Sequence, residues 1–402
     1  MKILSLISAF EPHVYGGAEI SGTNLARWLA GRGHDVAVLT ALGKDEQVEV
    51  HGADHGGLEV WRLRFPRPYD YWNHVHAPKW QKPLYYLQDH FDPRNRWQMA
   101  KALDAIKPDC VQIHTPSGIG YNALREIAKR NIPAVYHLHD LNLVCMWGGM
   151  FRNGRNCERQ CAKCRCVSRV RFGAISGIQS LGFRSPSKAN LETVARHLPI
   201  KNFQSAAILN ANSYPSPNVP RTSANHLRFL YVGRLEPTKG ITMLLTVLEE
   251  LSSVHTLSID ILGDGSDAAF LSKRFGHNAW INFRGRVSQQ DVANAMHQSD
   301  LVCVPSIWAE PLGGVVVQAL TLGRPVFGSD IGGIPELIEH DRNGRIIKPG
   351  DAAAWKAELE AVLKNPRRLT QWGQYAAAQS DKFSQDAIAQ RIEAFIERIA
   401  KR

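Results

Sequence analysis

The chain has 402 residues, of which 44% are hydrophobic and 21% are charged, and its formal net charge at pH 7 is +11. This length exceeds what one hydrophobic core usually organises, so we expect two domains of about 200 residues each. The composition is typical of a globular protein and excludes a disordered or low-complexity chain.

The start of the sequence is expected to be a β-strand and not a signal peptide, and no membrane-spanning segment is expected. The first residues, MKILSLISAFEP, form a short apolar run without a cleavage pattern, and no run approaches the roughly 18 apolar residues of a spanning helix. We therefore predict a cytoplasmic protein, with peripheral contact at the inner face of the membrane left open. Residues 1–200 hold 26 Lys and Arg against 17 Asp and Glu. This basic half suits an anionic membrane, a lipid-diphosphate acceptor or a nucleic acid, although a solvated basic face is an equal alternative.

The first half alternates strand and helix patterns. Ile3–Ala9 is an apolar strand, Gly16 and Gly17 open a helix that continues to about Gly31, and Val36–Thr40 is the next strand. A glycine pair after a strand lets the backbone approach a ligand closely, although most strand-to-helix turns contain glycine.

The segment 61–97 is rich in aromatic and basic residues. It contains ten of the 34 aromatic side chains of the chain, interleaved with seven Lys and Arg. This combination suits sugar stacking, contact with membrane headgroups or stacked single-stranded nucleic acid. The alternative is that the rings only pack an irregular excursion of the first domain.

Two further strand patterns end in histidine. They cover Cys110–His114 and Ala134–His139. His139 lies at the carboxyl end of its predicted strand, where ligands bind in parallel sheets, whereas His114 and His137 are equally compatible with core positions. Asp140 is predicted to cap the following turn.

A basic loop at residues 145–166 contains five of the seven cysteines. Clustered thiols in a reducing compartment more often bind metal than form disulfides. Cys157, Cys161 and Cys164, with Cys145 as a fourth thiolate, could close a structural zinc site. Free thiols or a redox pair are equal alternatives.

The second half begins after a stretch rich in Pro, Ser and Asn. We predict a first domain over 1–207, a hinge over 208–225 and a second domain over 226–384. The second domain starts with the strand Arg228–Val232, and its first loop contains Arg234 and Lys239. Two cations in one loop can neutralise a leaving diphosphate.

The stretch from Pro305 to Glu336 carries the strongest signal. A strand ends near Pro305, Glu310 follows it, and Gly313-Gly314 begin a short helix. Helix starts attract anions because their first amides have no internal partner. An acid beside an anion site predicts a ligand with both hydroxyls and phosphates, and a nucleotide-sugar fits.

These residues resemble a known signature. Glu-Pro-Leu-Gly-Gly at 310–314, Gly-Arg-Pro at 323–325 and Ser-Asp-Ile-Gly-Gly-Ile-Pro-Glu at 329–336 are similar to the donor site of the retaining GT-B glycosyltransferases of family 4, the group 1 glycosyltransferases. The resemblance implies an α/β fold of two Rossmann-like domains that face a central cleft, with a terminal helix, 385–402, that crosses back to the first domain. The second glutamate of the family signature falls on Gln318, which keeps a hydrogen-bonding carbonyl and loses the charge.

The resemblance also implies residue roles. Arg234 and Lys239 would stabilise the departing diphosphate, Glu310 would orient the donor sugar, and His139 would reach the sugar or the acceptor. The remaining donor-binding positions it implies are Gly16, Gly17, Gly233, Gly263, Arg286, Pro311, Leu312, Gly313, Gly314 and Gln318.

The sequence thus predicts a retaining glycosyltransferase for cell-surface polysaccharide or glycolipid assembly, including lipopolysaccharide. Its donor would be a UDP- or GDP-linked sugar, its acceptor a glycan or lipid-linked saccharide, and no catalytic metal would be obligatory. An anionic membrane surface is compatible with this prediction, and nucleic acid is not favoured. The alternatives are a GT-B epimerase or phosphorylase and a catalytically silent binding protein.

Overall fold

The structure is a computed structural model, and it describes residues 1–13, 16–74 and 76–401. Tyr15, next to the predicted glycine pair, lies outside the described residues. The chain forms two compact units. The first consists of Met1–Gly148, Arg159–Asn212 and Gln385–Arg402, and the second of Gly149–Glu158 and Ser213–Ser384.

The strands of the described residues are numbered in chain order. They are β1 (Lys2–Ile7), β2 (Asp35–Ala41), β3 (Val50–Asp54), β4 (Glu59–Leu63), β5 (Cys110–Thr115), β6 (Ala134–His137), β7 (Phe151–Arg152), β8 (Arg155–Asn156), β9 (Leu181–Ser185), β10 (Gln204–Ala207), β11 (Leu227–Val232), β12 (Leu257–Leu262), β13 (Ile281–Gly285), β14 (Leu301–Val304), β15 (Val326–Ser329) and β16 (Gly344–Ile347).

The α-helices of the same residues are numbered in the same way. They are α1 (Gly17–Gly31), α2 (Gln81–Phe91), α3 (Pro93–Ile106), α4 (Arg125–Lys129), α5 (Ala162–Ile175), α6 (Lys188–Ala195), α7 (Ile241–Ser252), α8 (Ala268–Phe275), α9 (Gln289–Gln298), α10 (Gly314–Thr321), α11 (Ala352–Lys364), α12 (Arg367–Ala378) and α13 (Gln385–Ala400). None of these helices is long and apolar enough to cross a bilayer.

The first unit is built on an eight-stranded sheet in the order β10-β9-β6-β5-β1-β2-β4-β3. All neighbouring strands are parallel except β3 and β4, which are antiparallel. The central strands are buried along most of their length, from Ile3 to Ile7 in β1 and from Val36 to Thr40 in β2, because helices cover both faces of a parallel sheet. Helix α13 packs into this core through Ile388, Ile392 and Phe395.

The second unit has a fully parallel six-stranded sheet in the order β13-β12-β11-β14-β15-β16. The strand order reverses between β11 and β14, and ligands of such sheets bind beyond the carboxyl ends of the strands at this switch point. The loops that leave β11 and β14 contain Lys239 and Glu310 respectively. The topology therefore brings the two predicted site loops to one edge of the sheet.

The main strands lie within a few residues of their predicted positions, but the segment 61–97 differs. It is irregular only in part, because it contains the end of β4, the whole of α2 and the start of α3. Asp92 separates the two helices and caps α3 by accepting from the Arg94 backbone N–H, and Pro93 occupies the first turn. The helix α2 was not predicted, because aromatic residues occur throughout this segment and do not show a clear helical spacing.

The unit boundaries also differ from those predicted. The loop 145–166 was assigned whole to the first domain, but the hairpin of β7 and β8 within Gly149–Glu158 belongs to the second unit. The first unit extends to Asn212, inside the predicted hinge. The cause is tertiary, since the Asn156 side chain bonds to the chain near Ile307, and no local pattern reports such a contact.

Candidate active site

The candidate site of the second unit is organised by an ion pair between its two switch-point loops. Lys239 Nζ lies 2.9 Å from Glu310 Oε1, and both side chains are largely buried. Ser306 donates its hydroxyl to the same carboxylate oxygen. Lys239 Nζ also lies 5.3 Å from the centre of the Trp308 ring, which provides a cation–π contact. A lysine so placed is held close to any sugar or phosphate that Glu310 contacts.

The two loops approach each other more closely than side chains would allow. Gly240, which follows Lys239, has a φ of +68°, and a Cβ there would lie 2.0 Å from the Pro305 carbonyl oxygen. Ile307 donates its backbone N–H to the Thr238 carbonyl at 2.9 Å. Glycine is therefore required next to Lys239, both for its backbone conformation and for the close approach of the loops.

The start of α10 lies in the same loop system. Gly313 is the N-cap residue in a left-handed conformation, and no side chain caps the helix start. The first amides, including that of Gly314, thus have no capping side chain and are suited to a phosphate. Leu312 is buried beside them. One turn further on, Gln318 is 4% exposed, and its Nε2 has no partner among the described residues.

The remaining predicted donor positions of this unit lie at the carboxyl ends of neighbouring strands. Gly233 follows β11 and Gly263 follows β12, and a Cβ on Gly263 would lie 1.9 Å from the Gly233 carbonyl oxygen. Gly263 donates its backbone N–H to Gly285 at 2.8 Å, which places the loop that contains the exposed Arg286 alongside. Arg234 is exposed and pairs with Glu236 at 2.8 Å rather than with Glu310.

The β7–β8 hairpin braces the segment that leads to Glu310. Asn156 donates its side-chain amide to the Ile307 carbonyl at 2.9 Å and accepts the Ala309 backbone N–H at 2.9 Å. Gly149, at the start of the same segment, lies against the Trp308 ring. Sequence reasoning missed Asn156 and Trp308. Trp308 stands inside the recognised stretch and could have been found, whereas nothing in the local sequence marks Asn156.

In the first unit, His139 belongs to a stack of three histidines. Its Nε2 lies 2.9 Å from His114 Nδ1, and the His114 and His137 rings are 4.1 Å apart between centroids. Burial, with the nearby Arg184 cation, lowers the pKa of His114 to about 3, and burial also holds the pKa values of His137 and His139 well below their usual range. All three imidazoles are therefore neutral near pH 7, and His139 Nδ1 is buried without a partner in the described structure.

The three histidines bring ligand nitrogen atoms within 4.8 Å of one another. Their ring planes are nearly parallel, with interplanar angles of 8°, 21° and 14°. A metal ion lies close to the plane of each imidazole that binds it, and stacked planes do not share such a point. The arrangement is a neutral stack in which four ring nitrogen atoms, one each of His114 and His139 and both of His137, have no partner among the described residues, and it does not fit a metal centre.

A buried carboxyl group, Glu19, and a half-buried one, Asp140, accompany this stack in the first unit. Glu19 lies in the first turn of α1 and is 4% exposed. Its burial raises its pKa, and the negative charge of the Asp140 carboxylate raises it further. The backbone of Gly16 lies close to the Glu19 carboxylate, since a Cβ on Gly16 would be 2.7 Å from Glu19 Oε2. Gly17 begins α1 and has open space at its Cβ position. Asp140 accepts the Asn142 backbone N–H at 2.7 Å, which is the predicted turn cap.

The cysteines are distributed over both units. Cys145 and Cys164 are buried with their sulfur atoms 3.9 Å apart, while Cys161 is exposed just before α5. Burial raises the pKa of the Cys164 thiol to about 12. Cys157 lies in the segment that belongs to the second unit. Among the described residues, neither group of three ligating side chains within 4.8 Å contains a cysteine, and the zinc site stays a prediction.

Asp140 gives a pH-dependent stability that can be measured. Burial raises its pKa to about 6, so the folded state holds this proton more tightly than the unfolded chain, whose carboxyl has a pKa of about 3.9. Stability is therefore lost as pH rises from about 4 to above 6, by up to about 3 kcal/mol. The Asp140→Asn variant cannot lose this contribution, because its side chain does not titrate. In denaturant titrations, its free energy of unfolding should therefore rise relative to that of the wild type by about 2 to 3 kcal/mol between pH 4 and pH 7.

The matched control is Asp54→Asn, an exposed carboxylate on β3 of the same unit. Its difference from the wild type, measured over the same pH range, is the reference for a carboxyl group in solvent. A flat profile for Asp140→Asn would show that Asp140 titrates as it does in the unfolded chain.

Two family profiles match the chain. The profile of Glycosyl transferases group 1 matches residues 217–379, and that of Glycosyltransferase Family 4 matches residues 15–169. Glycogen synthase of Mycobacterium tuberculosis is 30% identical over 380 residues, which cover 91% of this chain and 87% of that protein.

Solved glycosyltransferase structures share the fold. Anabaena HepE in complex with UDP-glucose superposes with a TM-score of 0.67 at 20% identity, over 99% of both chains. WaaG, a glycosyltransferase involved in lipopolysaccharide biosynthesis, superposes with a TM-score of 0.64 at 17% identity, over 98% of this chain and 99% of that chain. At these identities the structures establish the GT-B fold alone. Together with the profile matches and the glycogen synthase similarity, they show that the chain is a glycosyltransferase enzyme that belongs to the group 1 glycosyltransferases of family 4.

Proposed function

We propose that the enzyme is a retaining glycosyltransferase that transfers a sugar from a UDP- or GDP-linked donor to a hydroxyl of a glycan or lipid-linked saccharide. The observation that carries this proposal is the Lys239–Glu310 ion pair beside the uncapped start of α10. It offers a carboxylate for sugar hydroxyls and positive charge for a diphosphate within one loop system. The UDP-glucose complex of the similarly folded HepE supports the same class of donor.

The proposed reaction breaks the bond between the anomeric carbon and the diphosphate oxygen. Lys239, Arg234 and the amides of Gly313 and Gly314 stabilise the charge that develops on the leaving diphosphate. Glu310 accepts hydrogen bonds from the donor sugar, and Gln318 contacts the ribose. The acceptor oxygen bonds to the anomeric carbon on the face that the diphosphate leaves, and its proton passes to the leaving phosphate oxygen. The positive groups named here perform the role that a metal ion performs elsewhere, so no obligatory metal enters the scheme.

The proposed acceptor site lies in the first unit. His139 is neutral and retains one unpaired nitrogen, so it can hold a hydroxyl without adding charge. The basic excess of residues 1–200 favours an anionic acceptor such as a lipid-linked saccharide. We assign the enzyme on this basis to cell-surface polysaccharide or glycolipid assembly, with the lipopolysaccharide role of WaaG as support.

The donor site can be tested with nucleotides alone. A nucleoside diphosphate at 100 times its dissociation constant should stabilise the protein by about 2.7 kcal/mol in thermal unfolding. UDP and GDP, tested separately, should differ, and the stabilisation should be lost in Lys239→Ala. The control is Lys273→Ala, which changes an exposed lysine on α8 and should be stabilised by the nucleotide as much as the wild type is. If no nucleotide stabilises the wild type, the proposal fails in favour of a silent binding protein.

The Asn156 brace should matter for turnover more than for nucleotide binding. In Asn156→Ala, the two hydrogen bonds to Ile307 and Ala309 are lost and Glu310 is less well positioned, so kcat for acceptor-free donor hydrolysis should fall by about 10- to 100-fold. The dissociation constant of the nucleotide should change by less than about threefold. Asn156→Asp keeps the oxygen that accepts the Ala309 backbone N–H, so its kcat for donor hydrolysis should lie between those of Asn156→Ala and the wild type.

The control for this series is Arg152→Ala, an exposed side chain on the same hairpin. It should leave donor hydrolysis unchanged. Equal losses in Asn156→Ala and Arg152→Ala would indicate that the loss comes from a general disturbance of the hairpin and not from the two hydrogen bonds of Asn156.

Gln318 allows a gain-of-affinity test. A carboxylate accepts hydrogen bonds more strongly than an amide, so Gln318→Glu should tighten nucleotide binding by about 5- to 10-fold in calorimetry. The gain should vanish for a nucleotide that lacks both ribose hydroxyls. An equal gain for both ligands would show that position 318 does not contact the ribose.

A further inference from the structure

The strongest unused surface of the described structure lies on α2. Trp80, Leu84, Leu87 and Phe91 follow one another at spacings of four, three and four residues, which places them on one face of the helix. Their side chains are 74%, 42%, 58% and 59% exposed. Trp97 on α3 is 63% exposed as well. Most large apolar side chains of this protein are buried, so five exposed ones within 18 residues call for an explanation.

The orientation of α2 is fixed by its opposite face. Tyr85 is buried and stacks on Tyr69 with 4.8 Å between ring centroids. Asp89 is buried too, pairs with Arg67 at 2.9 Å and accepts the Gly118 backbone N–H. These contacts hold the apolar face outward, and no rotation of the helix could bury it without exposing Asp89.

The charged side chains of residues 79–101 that have no ion-pair partner among the described residues are all positive. Lys79, Lys82 and Lys101 have no carboxylate partner among the described residues, and Lys101 Nζ lies 5.7 Å from the Trp97 ring centre. The only acids of residues 79–101 are Asp89, which faces inward, and Asp92, which pairs with Arg94 at 2.7 Å. The surface therefore combines exposed apolar side chains with unpaired lysines and lacks an unpaired acid.

We propose that this surface, formed by Trp80, Leu84, Leu87 and Phe91 on one face of α2 and supplemented by the exposed Trp97 at the start of α3, docks on an anionic lipid bilayer. Leucine and phenylalanine side chains enter the boundary between headgroups and acyl chains, while tryptophan rings lie at headgroup level. The lysines reach anionic headgroups, for which the positive charge of the surface is complementary. This proposal goes beyond sugar transfer, because it concerns where the enzyme works and needs no donor.

Vesicle flotation of the full chain tests the proposal directly. Vesicles of phosphatidylcholine with about 30% phosphatidylglycerol should bind the wild type at least about tenfold more tightly than pure phosphatidylcholine vesicles, and about 500 mM salt should weaken this binding. The double variant Leu84→Ser, Leu87→Ser should lose about tenfold or more on the anionic vesicles. Lys79→Gln with Lys101→Gln should weaken binding to anionic vesicles only.

The matched control is Val254→Ser, an apolar side chain of the second unit that is 72% exposed. It should bind vesicles like the wild type. Nucleotide stabilisation should be the same in all these variants, so a failure here is separate from a failure of the proposed donor site. The proposal is overturned if the wild type binds neither vesicle, or if the double serine variant binds as tightly as the wild type. It is also overturned if light scattering shows a dimer that this variant dissociates, which would make a second copy the partner.

Discussion

The arrangement of the second sheet governs the chemistry of this protein. Because the strand order reverses between β11 and β14, the loops after these strands leave the sheet at adjacent points and in divergent directions. Gly240 lets them touch, and the partly buried ion pair of Lys239 with Glu310 locks them together. Breaking such a pair leaves an uncompensated charge, so each partner keeps the other in place until a ligand with its own charges enters. In the proposed donor site, a positive charge and a carboxylate are thus already in place for a ligand that has both phosphates and hydroxyls.

Much of this could be predicted from the sequence because the signals were local. Glu310, Gly313 and Gly314 lie within one short stretch whose strand, turn and helix each have their own pattern, and Lys239 lies in a loop of the same type. The structure brings Glu310 and Lys239 into contact, as parallel topology requires. Arg234 was recognised by the same signals, but in the structure it is exposed and paired with Glu236. Spacing identified the loop, whereas the direction of a long side chain depends on neighbours that spacing does not describe.

The features that the sequence did not predict depend on distant contacts. Asn156 lies inside the cysteine-rich loop 145–166, whose pattern predicted metal binding, and its two hydrogen bonds reach residues about 150 positions away. The histidine stack joins the ends of β5 and β6. Nothing in the local sequence distinguishes His114 from other strand residues, because its contact with His137 arises only when the two strands pair. The exposed face of α2 could not be recognised from the sequence, because exposed and buried aromatic residues alternate in the same segment. Aromatic composition alone does not distinguish a core from a surface.

The hairpin of β7 and β8 has a genetic consequence. It is encoded before the hinge but folds with residues 213–384, so the second unit is not one continuous stretch of chain. A gene fusion joined near residue 213 would combine the donor loop of one parent with the hairpin of another. Asn156 and the backbone of Ile307 and Ala309 would then come from different ancestors. Recombination at the hinge is therefore constrained by a side chain that lies more than 50 residues before it, and chimeras of related enzymes should be joined with the hairpin counted as part of the second unit.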